Sequence, residues 1–154
     1  MDYLGPIEVL LVEDNPADVE LALHALRQNK LANRIQVVRD GEEALDFLFC
    51  RGGFAQRSFD MPPRLVLLDL KLPKVDGLEV LRAVKSDPRT KMIPVVILTS
   101  SKEEKDLVNG YQTGVNSYIQ KPVDFTQFRD VVGQLGLYWL VVNNVPSPKA
   151  FAHS

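Results

Sequence analysis

The chain has 154 residues, 45% of them hydrophobic and 25% charged, which suits one globular domain and excludes a disordered or membrane-embedded chain. Lys and Arg total 18 against 20 Asp and Glu, a balance that argues against nucleic-acid or anionic-membrane binding through the overall field. The one cysteine, Cys50, can form neither an internal disulfide nor a cysteine metal cage, and no stretch approaches the roughly 20 apolar residues of a spanning helix.

Met1–Pro6 lacks the basic and apolar regions of a signal peptide, so a cytoplasmic location is expected. Ile7–Val12 reads as the first strand. Asn15 and Pro16 then begin a helix over Ala17–Lys30, with Val19, Ala22, Leu23 and Leu26 on one face. A weaker strand at Ile35–Val38 precedes a helix over 41–51. The third strand, Leu65–Leu68, leads to a helix over 76–86, and the fourth, Pro94–Leu98, to one over 102–113. Ser117–Ile119 is the fifth strand, followed by a helix over 124–142. The first, third and fourth runs are almost uninterruptedly apolar, as in strands covered on both faces. Five strands alternating with five helices predict a parallel α/β sheet with right-handed crossovers. The domain is expected to span 1–142, with 143–154 a disordered tail that carries Pro146 and Pro148.

Ligands of such sheets bind beyond the carboxyl ends of the strands, near the point where strand order reverses. Strand 1 ends in Glu13-Asp14, strand 3 in Asp69, strand 4 in Thr99-Ser100 and strand 5 in Lys121-Pro122. If the order is 2-1-3-4-5, strands 1 and 3 are neighbours at that point and their terminal carboxylates converge. Two like charges about 4 Å apart repel by about 4 kcal/mol at an effective dielectric of 20. Cations must answer them: Lys121 is one, and a hard divalent ion supplies the rest. Oxygen ligands without His or Cys favour Mg²⁺ or Mn²⁺ over Zn²⁺. Any one of these acids alone reads as a solvated loop residue or a helix cap. Four functional strand ends out of five do not.

The sequence resembles the receiver domain of two-component response regulators in Val12-Glu13-Asp14-Asn15, in Leu68-Asp69-Leu70-Lys71-Leu72-Pro73 with Asp76-Gly77, in Leu98-Thr99-Ser100, and in Tyr118-Ile119-Gln120-Lys121-Pro122. A finer resemblance, to small stand-alone regulators paired with phytochrome-type histidine kinases, lies in the long 51–64 connection, in Leu70-Lys71-Leu72-Pro73-Lys74 and in Tyr138-Trp139-Leu140. The resemblance implies a flavodoxin-like, doubly wound sheet ordered 2-1-3-4-5. It makes Asp69 the phosphoacceptor for a sensor histidine kinase. Asp14 then binds Mg²⁺ directly, Glu13 directly or through water, and Lys71 through its main-chain carbonyl. Thr99 and Lys121 hold the phosphoryl group, and Tyr118 turns inward as the switch. Lys71 and Ser101 tune dephosphorylation, and the Lys121–Pro122 bond is cis. Signalling is then by protein contact through the face of the helix over 102–113, the fifth strand and the last helix.

Two alternatives belong to other classes. A Mg²⁺ aspartyl phosphatase needs a second acid two residues after its nucleophile, where this chain has Lys71. A pseudo-receiver, an interaction module that phosphorylation does not regulate, is expected to lack an acid or the lysine. Only 32 residues follow Pro122, too few for a helix-turn-helix output after the last helix. Phe125, Phe128, Val132, Leu135, Trp139 and Val142 make one helical stripe, but Leu137–Val142 is apolar all round and needs a further partner. A homodimer through the extended last helix is therefore expected, with Leu137, Tyr138, Trp139 and Val141 in its interface.

Overall fold

The structure is a computed structural model, and it describes residues 9–28, 34–100, 104–106 and 114–136. Five parallel strands, β1 (Val9–Val12), β2 (Ile35–Val38), β3 (Leu65–Asp69), β4 (Val95–Thr99) and β5 (Ser117–Gln120), form one sheet in the order β2-β1-β3-β4-β5. The predicted order is the observed one. Val9–Val12 pairs with Leu65–Leu68 in register, and Asp69 pairs with Leu98.

Alternation of side chains across the pleat explains why the central strands are apolar throughout. Val9 and Leu11, Leu65 and Leu67, and Val96 and Leu98 face one layer. Leu10 and Val12, Val66 and Leu68, and Val95 and Ile97 face the other. The first layer is closed by α1 (Pro16–Gln28) through Val19, Ala22, Ala25 and Leu26, and by the C-terminal helix (Phe125–Gln134) through Phe128, Val131 and Val132. The second is closed by α2 (Gly41–Leu48) and α3 (Gly77–Ser86). Each fully buried Leu or Val contributes about 1.5–3 kcal/mol, so two full layers carry the fold. Glu104–Asp106 is helical, within the helix expected over 102–113. No helix of the described residues is long and apolar enough to cross a membrane.

Aspartates start three helices. Asp40, Asp76 and Asp124 accept the N–H groups of Glu43 (2.7 Å), Glu79 (3.0 Å) and Gln127 (2.9 Å), each supplying a partner for an otherwise orphaned donor. Asn15 does the same for Ala17 and Asp18 ahead of α1.

Several boundaries differ from expectation, including β4, which runs Val95–Thr99, and β5, which runs on through Gln120. α2 stops at Leu48 rather than 51, because Cys50 and Gly52 take left-handed φ values of 56° and 57° and so leave the helical path. β3 runs on through Asp69. The C-terminal helix ends at Gln134, with Leu135 as its cap and Gly136 at φ 71°, a glycine-closed terminus, so it does not run unbroken to 142. Beyond η1 (Gly52–Phe54) the 51–64 connection is held by Arg57, whose guanidinium stacks 3.7 Å from the Phe47 ring centroid and donates to the Phe47 and Met61 carbonyls.

At the amino ends of β4 and β5 the chain is clasped. Lys85 Nζ donates to the Lys91 carbonyl (3.1 Å), the Ile93 carbonyl (2.7 Å) and Asn116 Oδ1 (3.0 Å). The same Asn116 oxygen accepts the Val95 N–H at 2.8 Å.

Candidate functional site

The site forms at the opposite, carboxyl ends of β1 and β3. Glu13 and Asp14 leave β1, and Asp69 is the last residue of β3. One carboxylate oxygen from each of the three lies within 4.8 Å of the others. Glu13 and Asp69 are buried, at 0% and 4% exposure, while Asp14 is exposed. Glu13 Oε2 accepts the Asn15 N–H and Asp69 Oδ1 the Lys71 N–H, both at 3.2 Å.

Lys121 reaches this cluster from the end of β5. Its Nζ lies 2.9 Å from Glu13 Oε1, 3.1 Å from Asp69 Oδ2 and 3.2 Å from Asp18 Oδ2. The Lys121–Pro122 peptide bond is cis, as expected. Thr99, the last residue of β4, is buried and stands one position beyond Leu98, the strand partner of Asp69. Gly77, at the start of α3, is required by close approach: a Cβ there would lie 2.3 Å from the Asp69 carbonyl oxygen and 2.6 Å from Leu70 Cα. Its N–H donates to the Leu70 carbonyl at 2.9 Å, which docks α3 against the loop below the acid cluster.

Burial dominates the electrostatics. It raises the Glu13 carboxyl from an ordinary 4.5 to about 7, opposed by the hydrogen bond from Lys121 and reinforced by the charge of Asp69. Burial pulls the other way on Lys121, yet its bond to Glu13 and the charges of Asp69 and Glu13 win and hold the ammonium above its usual range. Three converging carboxylates with one ammonium among them make a hard, oxygen-only donor set, the chemistry that fits Mg²⁺ or Mn²⁺.

The structure thus brings together Glu13, Asp14, Asp69 and Lys121, with Thr99 at the neighbouring strand end. Tyr118 is half-buried on β5, packed against the layer of α2 and α3, with Lys105 Nζ 5.1 Å from its ring centroid. Ser101, Leu137, Tyr138, Trp139 and Val141 lie outside the described residues. Two acids at the site have no counterpart among the expected residues. Asp18, on the first turn of α1, meets a lysine 103 positions away; its nearness to Asp14 in sequence is the only hint. Glu104 accepts the Ser100 N–H at 2.9 Å and pairs with Lys71 Nζ at 3.1 Å, contacts from a helical residue to the loops after β4 and β3 that strand-end reasoning cannot see.

The family model "Response regulator receiver domain" matches residues 9–133. Among solved structures, the bacteriophytochrome response regulator AtBRR is 53% identical, with a TM-score of 0.81 over 88% of this chain and 96% of its own. The phosphorylated cyanobacterial phytochrome response regulator RcpA is 41% identical, with a TM-score of 0.71 over 93% of this chain and all of its own. Response regulator Rcp1 of Synechocystis is 37% identical over 92% of this chain and 95% of its own length, and its structure in a Mn²⁺-bound form aligns with a TM-score of 0.70 over 88% of this chain and 95% of that one, at 39% identity. Sheet order, acid cluster and match over most of the length agree, and the chain belongs to the response regulator receiver domain family.

Proposed function

We propose that this chain is a phosphorylation-dependent response regulator that takes a phosphoryl group from a sensor histidine kinase, of phytochrome type, onto Asp69. The observation that carries this reading is the placement of the Asp69 carboxylate, buried yet held 3.1 Å from the Lys121 ammonium and clustered with two further acids. The likeness to the bacteriophytochrome response regulator AtBRR and the phosphorylated phytochrome response regulator RcpA supports it.

Asp69 Oδ attacks the phosphorus of the phosphohistidine; the new P–O bond forms as the P–N bond breaks, and the leaving imidazole takes up a proton. A carboxylate is a modest nucleophile, so the step depends on positioning and on neutralising the equatorial oxygens. Glu13, Asp14, Asp69 and the Lys71 main-chain carbonyl would hold Mg²⁺ or Mn²⁺, which when bound supplies positive charge to those oxygens. Lys121 pairs with one phosphoryl oxygen, and the Thr99 hydroxyl donates to another. Tyr118 then turns inward, and Lys71 and Ser101 set how long the phosphoryl group survives. The protein signals by contact rather than by turning over a substrate, through the face around β5 and the C-terminal helix, and as a homodimer through residues 137–142.

The test is incubation with Mg²⁺ and acetyl phosphate followed by intact mass. A phosphate adduct that Asp69→Asn abolishes is expected. An adduct of equal size in the variant, or none in the parent, rejects the assignment.

A further inference from the structure

We infer that Glu104 is an internal anion that holds the resting form of the site and gives way to an incoming phosphoryl group. The inference rests on the reading of Asp69 as phosphoacceptor.

Glu104 ties together the two loops that flank the reacting groups. Its Oε1 accepts the N–H of Ser100, the residue after Thr99. Its Oε2 lies 3.1 Å from the ammonium of Lys71, whose own N–H donates to Asp69 Oδ1. The side chain is only 11% exposed, so this is a seated carboxylate and not a surface pair in passing. A negative charge therefore already occupies one donor on the Thr99 side and one cation on the Asp69 side.

Phosphorylation of Asp69 adds about −1.5 to −2 charges and three acceptor oxygens. Those oxygens compete for the same donors and repel the carboxylate. Glu104 and Lys71, with Leu70, Leu72, Asp76 and Leu78, wall a cavity of about 270 Å³, which leaves the side chain room to move away. Because coupling between two occupants is reciprocal, whatever the Glu104 bonds contribute to the resting form is subtracted from the affinity for the phosphoryl group. Lys71 is 76% exposed, so solvent screens the pair and the effect is modest, about two- to fivefold.

The probe is beryllofluoride with saturating Mg²⁺, a stable stand-in for the phosphoryl group, titrated by calorimetry. Glu104→Gln removes the charge and keeps the size. Glu104→Asp keeps the charge and is one methylene too short to span both partners. Both variants are expected to bind the probe about two- to fivefold more tightly than the parent. The gain of Glu104→Gln should shrink as salt rises from about 0.05 M to about 0.5 M. Thermal melts establish that each variant is folded. Affinity equal to the parent in folded Glu104→Gln overturns the inference. So does a gain in Glu104→Gln that Glu104→Asp does not share, because that is general repulsion and not a bridge. A parent that binds no beryllofluoride rejects instead the reading of Asp69 itself.

Discussion

With its side chain out of water and Asp69 beside it, the Glu13 carboxyl keeps its proton up to about pH 7. The unfolded chain loses that proton near 4.5. Between these values the folded form binds more protons than the unfolded one, so stability falls as pH rises through the window and levels off above it. A divalent ion needs the carboxylate, so its affinity should climb over the same window with release of a proton, and Glu13→Gln should flatten that climb. Calorimetry in two buffers of different ionisation enthalpy reads both effects; a pH-independent affinity in the parent would refute this account. Asp14 differs in being exposed. Asp14→Ala should abolish Mg²⁺-dependent phosphorylation and leave the thermal midpoint unchanged or higher, since it removes one like charge from the cluster. At this scale the sequence is legible where a residue closes a strand: Glu13, Asp69, Thr99 and Lys121 each stand where an apolar run stops. Asp18 and Glu104 sit inside helical segments, where an acid is ordinary, and only the three-dimensional path of the chain gives them partners.

Among the elements, α3 is the one whose placement the site depends on. Its first residue packs onto the Asp69 backbone with no room for a side chain, a Cβ at Gly77 meeting the Asp69 carbonyl oxygen at 2.3 Å. Gly77→Ala should therefore cost about 1–3 kcal/mol, as overpacking does, and should slow phosphorylation by acetyl phosphate as well, because relief of the clash moves Asp69. An unchanged melting temperature would show that α3 can shift freely. Removing the α3 cap gives a contrast: Asp76→Ala should cost about 1 kcal/mol with a smaller effect on the rate, measured by the same melts and mass spectra. The existence of the strands was readable because the central ones are buried on both faces, which leaves a continuous apolar run, whereas their order came from the family resemblance. Helix ends were less readable. Cys50 bends the chain into a left-handed turn that nothing in a cysteine announces, and Gly136 closes a helix whose apolar spacing continues past it in sequence.

For the molecule as a whole, the apolar sequence Leu137–Val142 follows a helix that ends at Gln134, and the proposed homodimer would bury it. Light scattering should give a dimer of the 17.3 kDa chain at micromolar concentration, and truncation after Gly136 should give the monomer. A monomer before truncation would remove the dimer from the reading. The clasp at the far end of the sheet bears on how a signal leaves the site. Lys85 and Asn116 fasten the starts of β4 and β5 to each other and to the loop from α3, and at the opposite ends the Lys121 N–H donates to the Thr99 carbonyl at 2.7 Å. Sliding one strand past the other would break the ties at both ends. The two strands are therefore riveted at both ends, and a displacement of Thr99, if the proposed switch operates, would carry Lys121 and β5 with it.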